Sequence, residues 1–168
     1  MKFLVDAPLG GLAKWLRFCG FDAALRHLSA ARPGNLPDLR TDTYILTLQT
    51  SMAGLSRSDL VILGAATPEA QLEEVLERLQ VSRRDLDPMS RCVKCNEPLA
   101  PLARDVVAGR VPEFVFHTQK EFYECPACRR LYWPGSHVAG INQKVFQALG
   151  SKGRGPSGTT SRSQRSSP

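Results

Sequence analysis

Cys92-Val93-Lys94-Cys95 and Cys125-Pro126-Ala127-Cys128 are two Cys-x-x-Cys pairs with 29 residues between them. Two residues between cysteines let both sulfurs of one tight turn point at the same centre, and two such turns complete the tetrahedral thiolate cage that Zn²⁺ prefers. A redox dithiol is the alternative, but that motif normally opens a helix after a strand, whereas this one occurs twice in turn-like surroundings. The spacing therefore predicts a structural Zn²⁺ held by four thiolates in a zinc ribbon at residues 89–148.

The first half of the chain has the pattern of a small α/β layer. Continuous apolar runs at residues 3–5, 44–47 and 60–63 are typical of strands covered on both faces, as in a parallel sheet. Apolar residues at helical spacing predict helices over 9–19 and 68–79, the second with Thr67 as its N-cap. The order of these elements predicts an α/β domain at residues 1–88.

Within the predicted ribbon, the chain is expected to be mainly extended. Residues 106–116 read as extended segments around Gly109 and Pro112, and residues 122–123 as a strand that leads into the second cysteine pair. A short helix is predicted after Gln143. The Ser, Gly, Arg and Thr composition of residues 149–168 predicts a disordered basic tail.

The net charge of +6 on this chain of 168 residues is concentrated near its C-terminus. Residues 151–168 contain four basic residues and no acidic residue, so the other 150 residues carry 18 basic and 16 acidic groups, a balance of only +2. The net charge is therefore weak support for a polyanionic partner. Only local clusters of basic residues could support such a partner.

The chain shows no sign of a membrane or export segment. No run of about 18 apolar residues occurs, which excludes a membrane-spanning helix. The apolar start of the chain ends at Asp6, too soon for a secretory signal. We therefore expect a cytoplasmic protein without membrane contact.

Basic and aromatic side chains are interleaved around the predicted ribbon. The basic ones are Arg91, Lys94, Arg129 and Arg130, and the aromatic ones are Tyr123, Tyr132 and Trp133. Single-stranded RNA is bound by this combination, because bases stack on rings and phosphates pair with cations. The alternative is that the rings only fill the core of the ribbon. His137, in a turn with Pro134 and Gly135, is either a phosphate contact or an ordinary loop residue.

Three further residues lie on the first predicted helix. Lys14 and Arg17 share the face opposite its apolar stripe. There they would either bind phosphates or form an ordinary solvent-exposed surface. Cys19 lies on the apolar face, which predicts a buried small hydrophobe rather than a nucleophile.

Several motifs along residues 1–148 carry a family resemblance. They are Phe3-Leu4-Val5-Asp6, Leu9-Gly10-Gly11-Leu12-Ala13-Lys14-Trp15-Leu16-Arg17, Gly20-Phe21-Asp22, Ser90-Arg91-Cys92-Val93-Lys94-Cys95-Asn96, Arg110-Val111-Pro112, Cys125-Pro126-Ala127-Cys128 and Tyr132-Trp133-Pro134-Gly135-Ser136-His137. Together they resemble the mut-seven C-terminal ribonuclease domain. That family is a PIN-like (Rossmann-like) parallel-sheet nuclease fused to a zinc ribbon.

The resemblance implies metal-dependent cleavage of RNA. PIN-type nucleases gather three or four carboxylates at strand ends to hold Mg²⁺ or Mn²⁺, which activates a water molecule. Asp6 matches the first acid of the family and is the candidate catalytic residue, although an acid after a strand is also a common capping or turn residue. Lys14 and Arg17 would then face the same edge and suit phosphates.

Two positions of the family pattern lack their acid in this sequence. Ala31-Arg32-Pro33-Gly34-Asn35 replaces an acidic run, and Thr47-Leu48-Gln49 replaces Thr-Arg-Asp. An amide can ligate a metal through its oxygen but adds no negative charge. Asp38, Asp42 and Asp59 are the nearby candidates for recruitment to the site, although none falls on the family motif.

These observations lead to two hypotheses of different classes. The first is an RNA-associated protein that resembles a metal-dependent ribonuclease but has an incomplete acidic site, with any residual cleavage centred on Asp6. The alternative is a non-catalytic adaptor whose zinc ribbon binds RNA or docks a protein partner. A thiol redox protein is disfavoured by the arrangement of the four cysteines.

Overall fold

The structure is a computed structural model that describes residues 1–29, 36 and 42–135 and positions 140, 143, 145, 147 and 149. Its first half contains β1 (Lys2–Asp6), α1 (Gly10–Phe18), β2 (Asp22–Arg26), β3 (Thr43–Thr47), β4 (Leu60–Ile62) and α2 (Pro68–Arg78). The four strands form one parallel sheet in the order β2-β1-β3-β4. The predicted α/β class, its three apolar strands and its two helices are confirmed.

Strand β2 is the element of this sheet that the sequence did not predict. It pairs in parallel with β1, with Phe3 opposite Ala23. Its sequence, Asp-Ala-Ala-Leu-Arg, has neither a continuous apolar run nor a strict alternation, because an edge strand is covered on fewer sides. Leu25 and Arg26 are exposed.

The core of the first half lies between the sheet and the two helices. Its fully buried side chains include Phe3, Val5, Leu12, Leu16, Leu46 and Val75. Cys19 is 1% exposed in this core, which confirms its prediction as a buried hydrophobe. Burial raises the pKa of the Cys19 thiol to about 12, so the thiol stays protonated at neutral pH.

The second half contains a smaller antiparallel sheet. Its elements are β5 (Ala100–Leu102), α3 (Arg104–Val107), α4 (Glu113–Thr118), β6 (Phe122–Glu124) and β7 (Leu131–Tyr132). The strand order is β5-β6-β7, and the four cysteines lie at the turns beside this sheet. The predicted strand at 122–123 is confirmed, and so is the ribbon that follows the α/β layer.

The prediction of extended segments over residues 106–116 is wrong, because α3 and α4 occupy much of this stretch. Pro112 immediately precedes α4, where its fixed φ favours the start of a helix. The guanidinium of Arg104 lies 4.7 Å from the centre of the Phe116 ring and donates to the Phe116 carbonyl at 2.8 Å. This contact joins the two short helices across Gly109.

The end of α1 is in direct contact with the segment that leads from the first half into the second. Gly20 has a φ of +95°, and a Cβ added to it would lie 2.3 Å from the Asp87 carbonyl oxygen. The Asp87 N–H also donates to the Cys19 carbonyl at 2.9 Å. Only glycine accommodates both the backbone conformation and this approach.

The C-terminal segment also contributes to the first core. Val145 is 3% exposed and belongs to the same apolar cluster as Phe3 and Leu46, and Leu149 packs against that cluster. The division into 1–88, 89–148 and 149–168 stays a prediction. Among the described residues, no helix has the length and apolar character that crossing a bilayer requires.

Candidate functional site

Asp6, the candidate catalytic residue, lies at the carboxyl end of β1 and is 2% exposed. Its Oδ1 accepts hydrogen bonds from the N–H groups of Ala7 at 2.9 Å and Leu28 at 3.2 Å. Its Oδ2 accepts from Thr47 Oγ1 at 2.8 Å and Gln49 Nε2 at 2.7 Å. The bond to Ala7 caps a short 3-10 turn at residues 7–9. Both oxygens of Asp6 are therefore occupied by protein donors.

Gln49 occupies the position at which the family pattern carries an aspartate. Its Nε2 also donates to the Leu28 carbonyl at 3.0 Å, so the amide nitrogen bridges β1 and the loop after β2. The Gln49 N–H donates to Thr47 Oγ1 at 3.1 Å. A carboxylate at this position would repel the Asp6 carboxylate unless a cation lay between them. The Gln49 amide instead donates a hydrogen bond to Asp6, so the two side chains can be adjacent without a cation.

Asp42 and Asp59, the candidates for recruitment, do not join Asp6. The Asp42 carbonyl accepts from the Lys2 N–H, and the Asp59 carbonyl accepts from the Ile45 N–H. Both residues thus precede their strands and lie at the amino-terminal edge of the parallel sheet, whereas Asp6 lies at its carboxyl edge. The sequence left open whether these residues join the site; the structure places Asp42 and Asp59 away from Asp6, and Asp38 lies outside the described residues.

Asp59 already has a partner at its own edge. Its carboxylate forms a two-bond ion pair with Arg57, at 2.7 and 2.9 Å. Hydrogen bonding from Arg57 lowers the pKa of the Asp59 carboxyl. This pair therefore accounts for Asp59 without a metal.

The described surroundings of Asp6 do not fit Mg²⁺ or Mn²⁺. These ions need several oxygen ligands, and one carboxylate whose lone pairs already accept four hydrogen bonds supplies too few. Among the described residues, the one group of three or more His, Cys, Asp or Glu side chains placed to share a metal is the four-cysteine cluster.

The four cysteines form a site that suits Zn²⁺. The sulfurs of Cys92, Cys95, Cys125 and Cys128 all lie within 4.8 Å of one another, and none is in a disulfide. Cys92 Sγ and Cys128 Sγ are 3.7 Å apart. A tetrahedral site with zinc–sulfur bonds of about 2.3 Å requires edges of roughly 3.8 Å. These residues could therefore hold zinc with no position left open for a reactant.

The two cysteine turns share one backbone geometry. The residue after each pair, Asn96 or Arg129, has a left-handed φ of 68° or 60°. Each N–H donates at 2.8 Å to the carbonyl of the first cysteine of its pair, Cys92 or Cys125. Each turn is thereby closed by the protein itself, with both sulfurs on one side.

Cys92 is prepared to act as a thiolate. Burial works against its ionisation, but hydrogen bonds from the Tyr132 hydroxyl at 3.1 Å and the Cys95 N–H at 3.3 Å lower its pKa to about 6. Burial and the bond to Cys92 raise the pKa of Tyr132, so that hydroxyl remains a donor. Thiolates are the form in which cysteine binds zinc.

Arg17 is buried, so the expectation that it lies on the wet face of its helix is wrong. It is 8% exposed, and its Nε donates to the Ala23 carbonyl at 2.9 Å. Its Nη1 donates to the carbonyls of Val93 and Lys94 at 3.1 and 3.0 Å. Burial lowers the pKa of the Arg17 guanidinium. Arg17 thus links α1, β2 and the first cysteine turn.

Asn96 completes this link at the edge of the sheet. Its Oδ1 accepts from the Ala23 N–H at 3.0 Å, and its Nδ2 donates to Asp22 Oδ1 at 2.6 Å. The outward backbone groups of Ala23 are therefore taken by Asn96 and Arg17, which protects an exposed edge strand. Asn96 was not predicted from the sequence as a residue that joins the two halves.

Some of the RNA-binding candidates line one groove, and the other described candidates lie outside it. A groove of about 760 Å³ lies beside Ala7, next to Asp6, and is lined by residues that include Lys14, Arg17, Lys94 and Arg130. We call it the basic groove. Lys14, Lys94 and Arg130 are exposed there. The structure thus brings together three cations from α1 and both cysteine turns.

Other candidates lie elsewhere. Arg129 forms an ion pair with the buried Glu124 at 3.2 Å, and Arg91 donates to the Asn96 carbonyl at 2.7 Å. Trp133 is half-buried at the end of β7. His137 lies outside the described residues.

Comparison with known proteins identifies the family of this chain from its sequence. No curated protein and no solved structure matches it. Residues 1–145 match the Mut7-C RNAse domain. This match covers most of the chain, including β1 with Asp6 and both cysteine pairs. The chain therefore belongs to the Mut7-C RNAse domain family.

Proposed function

We propose that this chain is a cytoplasmic RNA-binding member of its ribonuclease family with an incomplete acidic site at Asp6. The observation that carries the proposal is the Asp6 carboxylate, whose two oxygens accept four protein hydrogen bonds, one of them from Gln49. A divalent ion would have to displace these donors and would gain only one negative charge. Such a site holds Mg²⁺ or Mn²⁺ weakly.

The basic groove supports RNA as the partner. Lys14, Lys94 and Arg130 line it from different elements, and its wall at Ala7 adjoins Asp6. Exposed lysine and arginine side chains bind phosphates by releasing condensed counterions, without regard to sequence. RNA in this groove would pass the end of β1, where the family resemblance implies cleavage.

The first test measures binding of single-stranded RNA by mobility shift at increasing salt. With three phosphate contacts we expect the slope of log affinity against log salt to be about −2, and Lys94→Ala to make it shallower by about 0.7. Arg57→Ala, at the opposite edge of the sheet, is the matched charge control and should leave the slope unchanged. Absence of any shift at low salt would contradict RNA binding.

The second test measures cleavage of labelled single-stranded RNA with Mn²⁺. We expect wild type and Asp6→Asn to show the same background rate, because neither holds the ion. Gln49→Asp places a second carboxylate beside Asp6 and is expected to create Mn²⁺ binding measurable by calorimetry. Wild-type cleavage that disappears in a folded Asp6→Asn variant would overturn the proposal and establish an active ribonuclease.

A protein-docking adaptor is the second candidate function. The observation that favours it is on α3 and α4, where Phe114 is 76% exposed and Val106 is 50% exposed. Large apolar side chains with this degree of exposure are candidates for a protein contact. If RNA fails to bind at low salt, this surface becomes the leading candidate, and Phe114→Ser should then weaken binding of the protein partner.

A further inference from the structure

A second cleft lies between α1 and the first cysteine turn. Its volume is about 350 Å³, and its apolar floor is formed by Trp15, Phe18, Met89, Val93 and Tyr132. We call it the aromatic cleft. Pockets of this kind, mostly apolar with a few polar groups, are typical small-ligand sites, and about 300 Å³ is the lower end of their size. The cleft is therefore sized for one small ring system.

The rim of the aromatic cleft carries charges of both signs. Lys14 and Arg91 lie on it together with Glu69. A phosphate would be repelled by Glu69, whereas a neutral heterocycle with donors and acceptors on its edge can use both Lys14 and Glu69, while Arg91 is held by the Asn96 carbonyl and Asp22. Stacking on aromatic rings adds attraction for such a heterocycle. The rim and the floor together favour a nucleobase.

The aromatic cleft and the basic groove are neighbours that share part of their lining. Gly11, Lys14 and Val93 line both of them. The cations Lys94 and Arg130 line the groove alone, and the rings Trp15 and Tyr132 line the cleft alone. A strand of RNA bound across this shared wall would have phosphates on the side of the groove and a base on the side of the cleft.

The walls of the cleft are held in place before any ligand binds. The Tyr132 hydroxyl bonds Cys92 Sγ at 3.1 Å, and Arg91 donates to the Asn96 carbonyl. A Cβ on Gly11 would lie 2.6 Å from Pro68 Cγ, so α1 and α2 are in close contact at this wall. A rigid site loses little entropy when it binds a ring.

We propose that the aromatic cleft binds one nucleobase of a single-stranded RNA whose phosphates lie in the basic groove. The proposal rests on the proposed RNA binding and goes beyond it, because it assigns base stacking to a specific pocket. It also gives the zinc ribbon a role in RNA contact, since Val93 and Tyr132 come from the ribbon.

The test compares two oligonucleotides of about 8 nucleotides, one normal and one with abasic sugars, at about 50 mM salt. The two carry the same phosphates. We expect wild type to bind the normal oligonucleotide about tenfold more tightly, the effect of one stacked base. Trp15→Leu keeps apolar volume but removes the ring, and it should abolish this preference. Lys94→Ala should weaken both ligands by equal factors.

The outcomes separate the two proposals. Equal wild-type affinity for both oligonucleotides would overturn the nucleobase site and leave RNA binding standing. No binding of either one would overturn both. If the apolar probe anilinonaphthalene sulfonate binds wild type, fails to bind Trp15→Leu and is not displaced by RNA, the cleft serves an apolar partner and the nucleobase proposal is wrong. The wild-type comparison needs no variant, so it holds even if Trp15→Leu unfolds.

Discussion

Cys125→Ser is expected to lose zinc and to unfold the second half of the chain. A serine hydroxyl stays protonated at neutral pH and does not replace a thiolate ligand. Structural zinc sites contribute about 10–16 kcal/mol of binding free energy, which is as large as the whole stability of a typical domain. The small sheet β5-β6-β7 has too little apolar area to compensate. We expect about one zinc ion per wild-type chain and close to none in the variant.

Zinc content is measured by metal analysis of the reduced, purified protein, and unfolding by proteolysis followed by mass spectrometry. Cleavage should appear within residues 91–132 of the variant. Cys19→Ala is the matched control, because it removes the cysteine that lies in the apolar core instead of the cluster. It should keep its zinc. A wild type with clearly less than one zinc per chain would contradict the ribbon.

Arg17→Leu is expected to lower the free energy of unfolding by about 3 kcal/mol, the loss of three hydrogen bonds from a charged donor to carbonyls of which one is buried. Leucine fills part of the space but leaves the carbonyls of Ala23, Val93 and Lys94 without their donor. The bond to Ala23 is buried and the bonds to Val93 and Lys94 are partly buried, and a buried acceptor left unpaired costs about 1–3 kcal/mol. Since this arginine joins the two halves, its loss should also separate their unfolding into two transitions. Thermal and denaturant unfolding followed by circular dichroism measure both effects.

Lys14→Ala is the matched control for Arg17, because it removes a cation one turn earlier on the same helix from an exposed position. We expect its stability to change by less than about 0.5 kcal/mol. Arg17→Lys should recover only part of the loss, since an ammonium lacks the planar fork that reaches three carbonyls. An Arg17→Leu variant with wild-type stability and weakened RNA binding would restore the original interpretation of Arg17 as a phosphate ligand.

The metal centre was predictable because its ligands are local. Each cysteine pair is separated by two residues, so a single turn places both sulfurs, and only the meeting of the two turns depends on the fold. The helix with Thr67 as N-cap was predictable for the same reason, since Thr67 Oγ1 accepts from the Ala70 N–H within one turn. Strand β2 was not predictable, because its local sequence has no clear strand pattern and its pairing with β1 stabilises it.

The interpretation of Arg17 failed for a related reason. Helical spacing places it three residues from Lys14, and spacing alone cannot reveal that the cysteine turn would cover that side of α1. The sequence could not place Asp42 and Asp59, because distance along the chain does not say at which edge of a parallel sheet a residue lies. That information is in the register of the strands.

Local sequence was enough to establish the α/β layer, the two cysteine pairs and the absence of an acid at Gln49, since each depends on side chains within a few residues of one another. Tertiary structure alone decided that Gln49 donates to Asp6, that Arg17 holds the two halves together and that Lys14 lies between a basic groove and an aromatic cleft. These are contacts between distant segments. Their geometry depends on how strands align and helices pack, which no short stretch of the chain encodes.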